Sequence, residues 1–385
     1  MLLIATTYGM ARFGVGLFAP YLAAQRPELA EVLGWAAAAQ FTAYCAAAVV
    51  AARWVDRHPR SGLIAAGVTA AAGCLGIAVA VHPAPFVVAV MVGGMGGAFA
   101  SAALVPVIDA VATQEGKATA QAVANTGTAV GVICAGLSSF ATSQVGPAWT
   151  FMALACAGTA VAALSPFRTR AASPAPRRGT EDNTRKASSP AAKRLLVVPA
   201  AAAVVAGSGS ALIWTFGPAL ATGSGSVNHE RIGWLWIALG LGGLLGTFTG
   251  TLVNRTGRRP AWWVCTAALA LASAGIAAST AQESAALAYI SMAIFGAGYI
   301  GLSGVLIFWA RNAWPTQAGS ATSVLFIALA TGQACGSAGF GLSEPVLGPA
   351  GMGMVAAALC AAGGLVATIR PRAARHASVK PDTTP

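Results

Sequence analysis

The chain has 385 residues, of which 56% are hydrophobic and only 9% charged, with a formal net charge of +12. An average soluble domain is about one-quarter charged, so this composition excludes an ordinary water-soluble globule and calls for lipid as the solvent. The positive charge does not point to nucleic acid, because the basic residues fall almost entirely in alternate polar breaks between apolar runs.

A membrane-spanning helix needs about 20 predominantly apolar residues, and the polar breaks divide the chain into twelve such runs. They lie near 2–24, 32–52, 62–81, 86–110, 119–142, 148–166, 195–222, 232–253, 261–280, 285–309, 320–341 and 350–369. The first run starts at Met1 with no basic stretch ahead of it, so it reads as a retained span rather than a cleaved signal. The near-absence of residues before it is the mark expected of a misassigned start codon. With the breaks after spans 2, 4, 6, 8 and 10 on one side, together with the tail, that side collects Arg53, Arg57, Arg60, Lys117, Arg168, Arg185, Arg194, Arg255, Arg258, Arg259, Arg311 and Arg370 among others. The opposite side holds only Arg26 and Arg231. The positive-inside rule then puts both termini in the cytoplasm. The seven cysteines sit inside apolar runs without metal-ligand spacing, and read as small hydrophobes.

The two halves say nearly the same thing. Ala52-Arg53-Trp54-Val55-Asp56-Arg57-His58-Pro59-Arg60 returns 198 positions later as Gly250-Thr251-Leu252-Val253-Asn254-Arg255-Thr256-Gly257-Arg258. The same offset aligns Phe18 with Phe216 and Pro20 with Pro218. A parallel repeat of membrane halves is how one large class of secondary transporters is built. The expected organisation is an N-terminal six-helix bundle (1–166), a flexible linker (167–193) rich in Pro, Ser and charge, a second six-helix bundle (194–369) and a polar tail (370–385). Small-x3-small patterns such as Gly127-x3-Gly131 and Gly332-x3-Gly336 mark close helix packing.

Gly250-x-Leu252-x-Asn254-Arg255-x-Gly257-Arg258-Arg259 resembles the loop motif of the major facilitator superfamily, G-x-L-x-D-R-x-G-R-[RK], and sits where that family's second copy belongs. The first copy keeps Asp56, Arg57 and Arg60 but replaces the glycines with Ala52 and Pro59. The resemblance spans essentially the whole chain. It implies an all-α membrane fold of twelve helices in two six-helix bundles, which rock around a cavity lined by spans 1, 4, 7 and 10 of the chain. It also implies a monomer in the bacterial cytoplasmic membrane with a small-molecule substrate and no cofactor beyond an ion gradient. Similarity to the efflux branch is carried by Tyr8-Gly9-Met10-Ala11-Arg12-Phe13-Gly14 and by Gly332-Gln333-x2-Gly336. Span 5 lacks the glycine-proline motif typical of drug–proton antiporters.

Charges inside a membrane are functional candidates, because each costs a few kcal/mol at the centre. Arg12 lies about 17 Å along span 1, at ~1.5 Å per residue, which is near the midplane. Its repeat counterpart is Ser210, so symmetry does not require a cation there. Two readings stand: a cavity cation for an anionic group, or an arginine that snorkels or is neutralised by backbone carbonyls. Asp109, near the end of span 4, is the only acid within a predicted span; its counterpart is Asn312. It fits an inner gate with Arg57 or Arg60, a proton-coupling group, or a partner for Arg12. The gate set is therefore Asp56, Arg57, Arg60 and Asp109, matched by Asn254, Arg255, Arg258 and Arg259. Tyr8, Gln40, Tyr44, Asn125, Trp214, Tyr299 and Gln333 lie at mid-span depth as pocket candidates, with interhelical hydrogen bonding the plainer role for Gln40, Asn125 and Gln333. Trp234, Trp236, Trp262, Trp263 and Trp309 fit an aromatic belt. No nucleophile–base set or nucleotide loop suggests an enzyme. The expected function is proton-coupled efflux of a small amphipathic or weakly anionic molecule; the alternative is import or exchange of an organic anion held by Arg12.

Overall fold

The computed structural model describes residues 1–55, 58–111, 117–165, 190–314 and 318–368. Among them the regular structure is entirely helical. The spans are α1 (Leu2–Gln25), α2 (Leu33–Trp54), α3 (Pro59–Val79), α4 (Pro83–Val111), α5 (Lys117–Ala141) and α6 (Val145–Leu164) in the first half. In the second half they are α7 (Pro190–Gly223), α8 (His229–Thr256), α9 (Arg258–Gln282) and α10 (Ala285–Ala313). The helical run Ala318–Val366 holds both α11 and α12. Here the sequence suggests a loop at 342–349, but the chain turns at a single residue. Gly348 takes φ 61°, and Pro349 behind it has the fixed φ that opens the next helix.

Successive helices alternate in direction, so Arg53, Arg60, Arg194, Arg255, Arg258, Arg259 and Arg311 share one face, called here the basic face. The far face carries Arg26, Glu28, Glu31, Glu230, Arg231, Glu283 and Glu344. Arg26 is used structurally: its guanidinium donates to the carbonyls of Ala80 at 2.6 Å, Ala78 at 3.1 Å and Ile77 at 3.3 Å, satisfying the last orphan acceptors of α3.

Large apolar side chains cover the outside, with Leu154 and Leu271 more than half exposed. In water such a surface would aggregate, whereas in a bilayer it is the solvated face. Not every tryptophan joins a belt. Trp234 and Trp263 are exposed, but Trp236, Trp262 and Trp309 are buried. Trp262 packs edge-on against Trp309 and donates to the Gly363 carbonyl at 3.0 Å, tying α9 to α12. Neighbouring positions on a helix are about 100° apart, so Trp262 turns into the protein while Trp263 lies at its surface.

The halves meet through α1 with α7, α2 with α11, and α5 with α8. At the far end Gly34 packs so closely on α11 that a Cβ would sit 2.8 Å from the Ser337 carbonyl, and at Gly136 it would sit 2.7 Å from the Gly233 carbonyl. Tyr21 donates from its hydroxyl to the His229 carbonyl at 3.0 Å. At mid-depth a Cβ on Gly16 would collide with the Trp214 carbonyl. The described contacts between halves thus run from the far face to the centre.

Candidate functional site

The site begins with an irregularity in α1. Ala5–Arg12 winds as a π-helix, and the Phe13 amide donates to the Tyr8 carbonyl at 3.1 Å, closing the wide turn. Local chemistry favours the loosened ladder. The hydroxyls of Thr6 and Thr7 donate back to the Leu3 carbonyl at 3.3 and 2.7 Å, competing with backbone amides. π-Turns occur frequently at functional sites. This one carries Tyr8 and Arg12 on its inner side.

Arg12 is 4% exposed. Its guanidinium carbon lies 4.0 Å from the Tyr44 ring centroid, 5.0 Å from Phe41, 5.1 Å from Tyr8 and 5.3 Å from Phe13. One nitrogen donates to Gln333 Oε1 on α11 at 3.5 Å, while Nε has no partner. An arginine offers five N–H donors, so this cation is caged by π-faces and left short of acceptors. Among the described residues no carboxylate pairs with it, and it neither snorkels to a face nor reaches a backbone carbonyl. Cation–π contact returns ~2 kcal/mol or more in a dry site, against a burial cost of ~2.5–3.5 kcal/mol or above. The arrangement is therefore a buried cation held among aromatic rings, with Nε unpartnered.

Hydrogen bonds fix the cage. Tyr8 and Tyr44 share a hydroxyl–hydroxyl bond of 2.6 Å, and Ser101 on α4 donates to the Tyr8 hydroxyl at 3.0 Å. From the second half, Gln333 donates to the Tyr299 hydroxyl at 3.0 Å. Next to Arg12, the Phe13 ring stacks on Trp214 of α7, with centroids 3.7 Å apart and planes 16° apart. Trp236, Phe295 and Tyr299 surround Trp214 edge-on at 6.1, 5.4 and 5.1 Å. The indole nitrogens of Trp214 and Trp236 are buried without a partner. Arg12, Phe13, Gln40, Phe41, Trp214 and Thr215 enclose about 10 Å³ between the halves. A pocket for a small molecule is typically ~300 Å³ or more, so the centre is closed.

The structure brings together Arg12, Tyr8, Tyr44, Trp214, Tyr299, Gln40 and Gln333 from the residues singled out by sequence. Gln40 reaches the Val90 carbonyl at 3.5 Å as well as the central lining. Asn125 is half-buried on α5, outside that lining, and makes a contact of its own. Phe13, Phe41, Trp236 and Phe295 were not legible as site residues. An apolar side chain in an apolar run carries no signal, although Phe295 does stand one helical turn from Tyr299.

The gate residues divide. Asp56 and Arg57 lie outside the described residues, as does the side chain of Asp109. Arg60 is exposed on α3 and has a partner. Asn254 and Arg255 are exposed at the end of α8. Arg258 and Arg259 line a cavity of about 480 Å³ at the basic face together with Pro199, Trp309 and Asn312.

This is the architecture of a polytopic secondary transporter: two halves in parallel repeat, closed on a charged and aromatic centre. The chain matches the Major Facilitator Superfamily over residues 1–337 and belongs to that family. Its fold is similar to that of a POT family transporter solved in complex with 5-aminolevulinic acid, with a TM-score of 0.76 at 10% identity over 95% of this chain and 94% of that one. It is similar also to the xylose transporter XylE from E. coli in a partially occluded inward-open conformation (TM-score 0.73, 14% identity, 94% of each chain). For the nucleoside transporter NupG the TM-score is 0.66 at 12% identity, covering 95% of this chain and 96% of that one. No curated protein matches the sequence at a significant level.

Proposed function

We propose that this protein moves a small amphipathic organic anion across the membrane by alternating access, with Arg12 as the binding cation. The observation that carries the reading is the burial of Arg12 without a carboxylate among the described residues, in a ring cage that supports the charge but leaves donors free. Trp214, Tyr299 and Phe295 supply an apolar wall beside it. The polar complement is small, which suits an amphipathic solute better than a sugar, since sugar sites need more convergent hydrogen-bonding groups.

In this reading the units 1–166 and 194–369 rock about the centre, joined by the linker 167–193. Both termini and the tail 370–385 face the cytoplasm of a bacterial cell, and the protein works as a monomer. Asp56, Arg57, Arg60 and Asp109, with Asn254, Arg255, Arg258 and Arg259, form the inner gate. Proton-coupled efflux is the mode that assigns Asp109 the coupling proton, the anion being expelled as the proton enters.

Reconstitution in proteoliposomes with a panel of radiolabelled organic acids tests this. Arg12→Ala is expected to lower anion transport by about a hundredfold while leaving the melting temperature unchanged or raised, because a costly buried charge is gone. Arg12→Lys is expected to rescue little, since an ammonium lacks the planar fork. Undiminished anion transport in Arg12→Ala would remove Arg12 from the site. An inward proton flux on anion efflux, lost in Asp109→Asn, is the result expected of the efflux mode.

A further inference from the structure

The centre holds more than a cation: it holds a flat slot already filled by one of the protein's own rings. Phe13 lies face to face with Trp214 at 3.7 Å, and Tyr299 meets Phe13 edge-on with planes at 85°. Trp236, Phe295 and Tyr299 stand edge-on around Trp214 at 79°, 76° and 79°. The space against the Trp214 face is therefore one ring thick. With about 10 Å³ of room left at the centre, a ligand ring cannot be added beside Phe13; it must take its place.

The two sides of the slot belong to different halves. Phe13 comes from α1, whereas Trp214, Trp236, Phe295 and Tyr299 come from α7, α8 and α10. When the halves part, Phe13 withdraws with α1 and the second half is left with an uncovered indole face. The Arg12 guanidinium carbon is 5.3 Å from the Phe13 centroid. A ring in the position of Phe13 therefore has a cation over its face, within reach of an anionic substituent.

We propose that the transported anion is an arylcarboxylate, and that Phe13 keeps its ring slot filled in the closed state. The inference rests on the anion-binding reading above and deepens it. A flat ring stacks on Trp214 in the way Phe13 does, a puckered alicyclic ring fits the slot less well, and a ring bearing an alkylammonium group is repelled by Arg12.

Titration calorimetry of the full-length protein in detergent, with benzoate, cyclohexanecarboxylate and benzylamine as probes, tests both layers. Benzoate is expected to bind about threefold to tenfold more tightly than cyclohexanecarboxylate, the gain of an aromatic pair over equal burial. Trp214→Leu is expected to erase that difference, and Phe13→Leu to tighten benzoate by removing its internal competitor. Equal affinity for the two acids in the native protein would overturn the slot and leave the anion reading standing. Benzylamine binding more tightly than benzoate, or no binding of either acid at millimolar concentration, would overturn both. Weaker benzoate binding in Phe13→Leu would overturn the placeholder role, since Phe13 would then be a contact and not a competitor.

Discussion

Helices α1 and α7 occupy equivalent places in the repeat, and they differ where the chemistry is. Toward the far face the copies agree: Phe18 and Pro20 answer Phe216 and Pro218, and both phenylalanines are buried. At mid-depth they part. Ala5–Arg12 is π-wound, whereas its counterpart 203–210 is continuous α-helix. Arg12 becomes Ser210, a fully buried hydroxyl that donates only to the Gly207 carbonyl of its own helix at 2.9 Å. Gly16 becomes Trp214, and the two positions touch across the interface. The repeat supplies the scaffold; the site is made from the places where one copy departs from it.

The strongest way to break this comparison is at the Gly16–Trp214 contact. In Gly16→Val the new Cβ collides with the Trp214 carbonyl, so α1 and α7 must separate at the centre. Backbone cannot yield as a flexible side chain does, and overpacking of this kind costs ~1–3 kcal/mol. Loss of transport and a lower melting temperature are expected. Gly223→Val, at the end of α7 where a Cβ meets nothing within 4 Å, is expected to stay within ~0.5 kcal/mol of the native protein. Equal behaviour of the two variants in a thermal melt would mean that α1 and α7 do not need their close approach.

A smaller effect sharpens the contrast between the two hydroxyl environments. Tyr8→Phe removes a group bonded to Tyr44 and Ser101 on two other helices, leaving their hydroxyls short of a partner. An unsatisfied buried group costs ~1–3 kcal/mol, and about tenfold weaker transport is expected as the Arg12 cage loosens. Ser210→Ala deletes a bond within a single helix and is expected to change transport less than twofold. Matched losses in an uptake assay would contradict the view that the cage, and not the repeat position, carries function.

The same contrast explains what was legible in the sequence. The spans and the repeat could be read because twenty-residue apolar runs and a returning basic turn leave a mark in composition. Arg12 stood out because a charge in such a run is conspicuous, and Trp214, Tyr299 and Gln333 because polar or amphipathic groups at mid-depth are few. Phe13 did not, because its role depends on which half its ring faces. The π-winding of α1 was hidden too, since a change of hydrogen-bond partner by one residue leaves the hydrophobic pattern almost untouched. For the tryptophans, depth along a helix could be counted but orientation could not: Trp234 and Trp236 are two positions apart, about 200° around the axis, and only Trp234 is exposed.

The two copies of the basic-face turn give the last and smallest test. In the second copy Gly257 caps α9 with φ 89° and ψ 165°, a region of backbone space that is essentially glycine's alone. In the first copy the equivalent residue is Pro59, which cannot take a positive φ. The turn is made instead by His58 at φ −133° and ψ 63°, a negative-φ conformation outside the helical region, with Pro59 as the first residue of α3. One loop motif is thus closed by two different backbone solutions. Gly257→Ala is expected to destabilise the second half by ~1 kcal/mol or somewhat more. Pro59→Gly should cost less than about 1 kcal/mol, through added freedom of the unfolded chain. A chemical-denaturation series on both variants decides the point: an Ala at 257 as harmless as a Gly at 59 would mean that the second turn can adopt the first turn's path, and that the left-handed glycine is not what sets the start of α9.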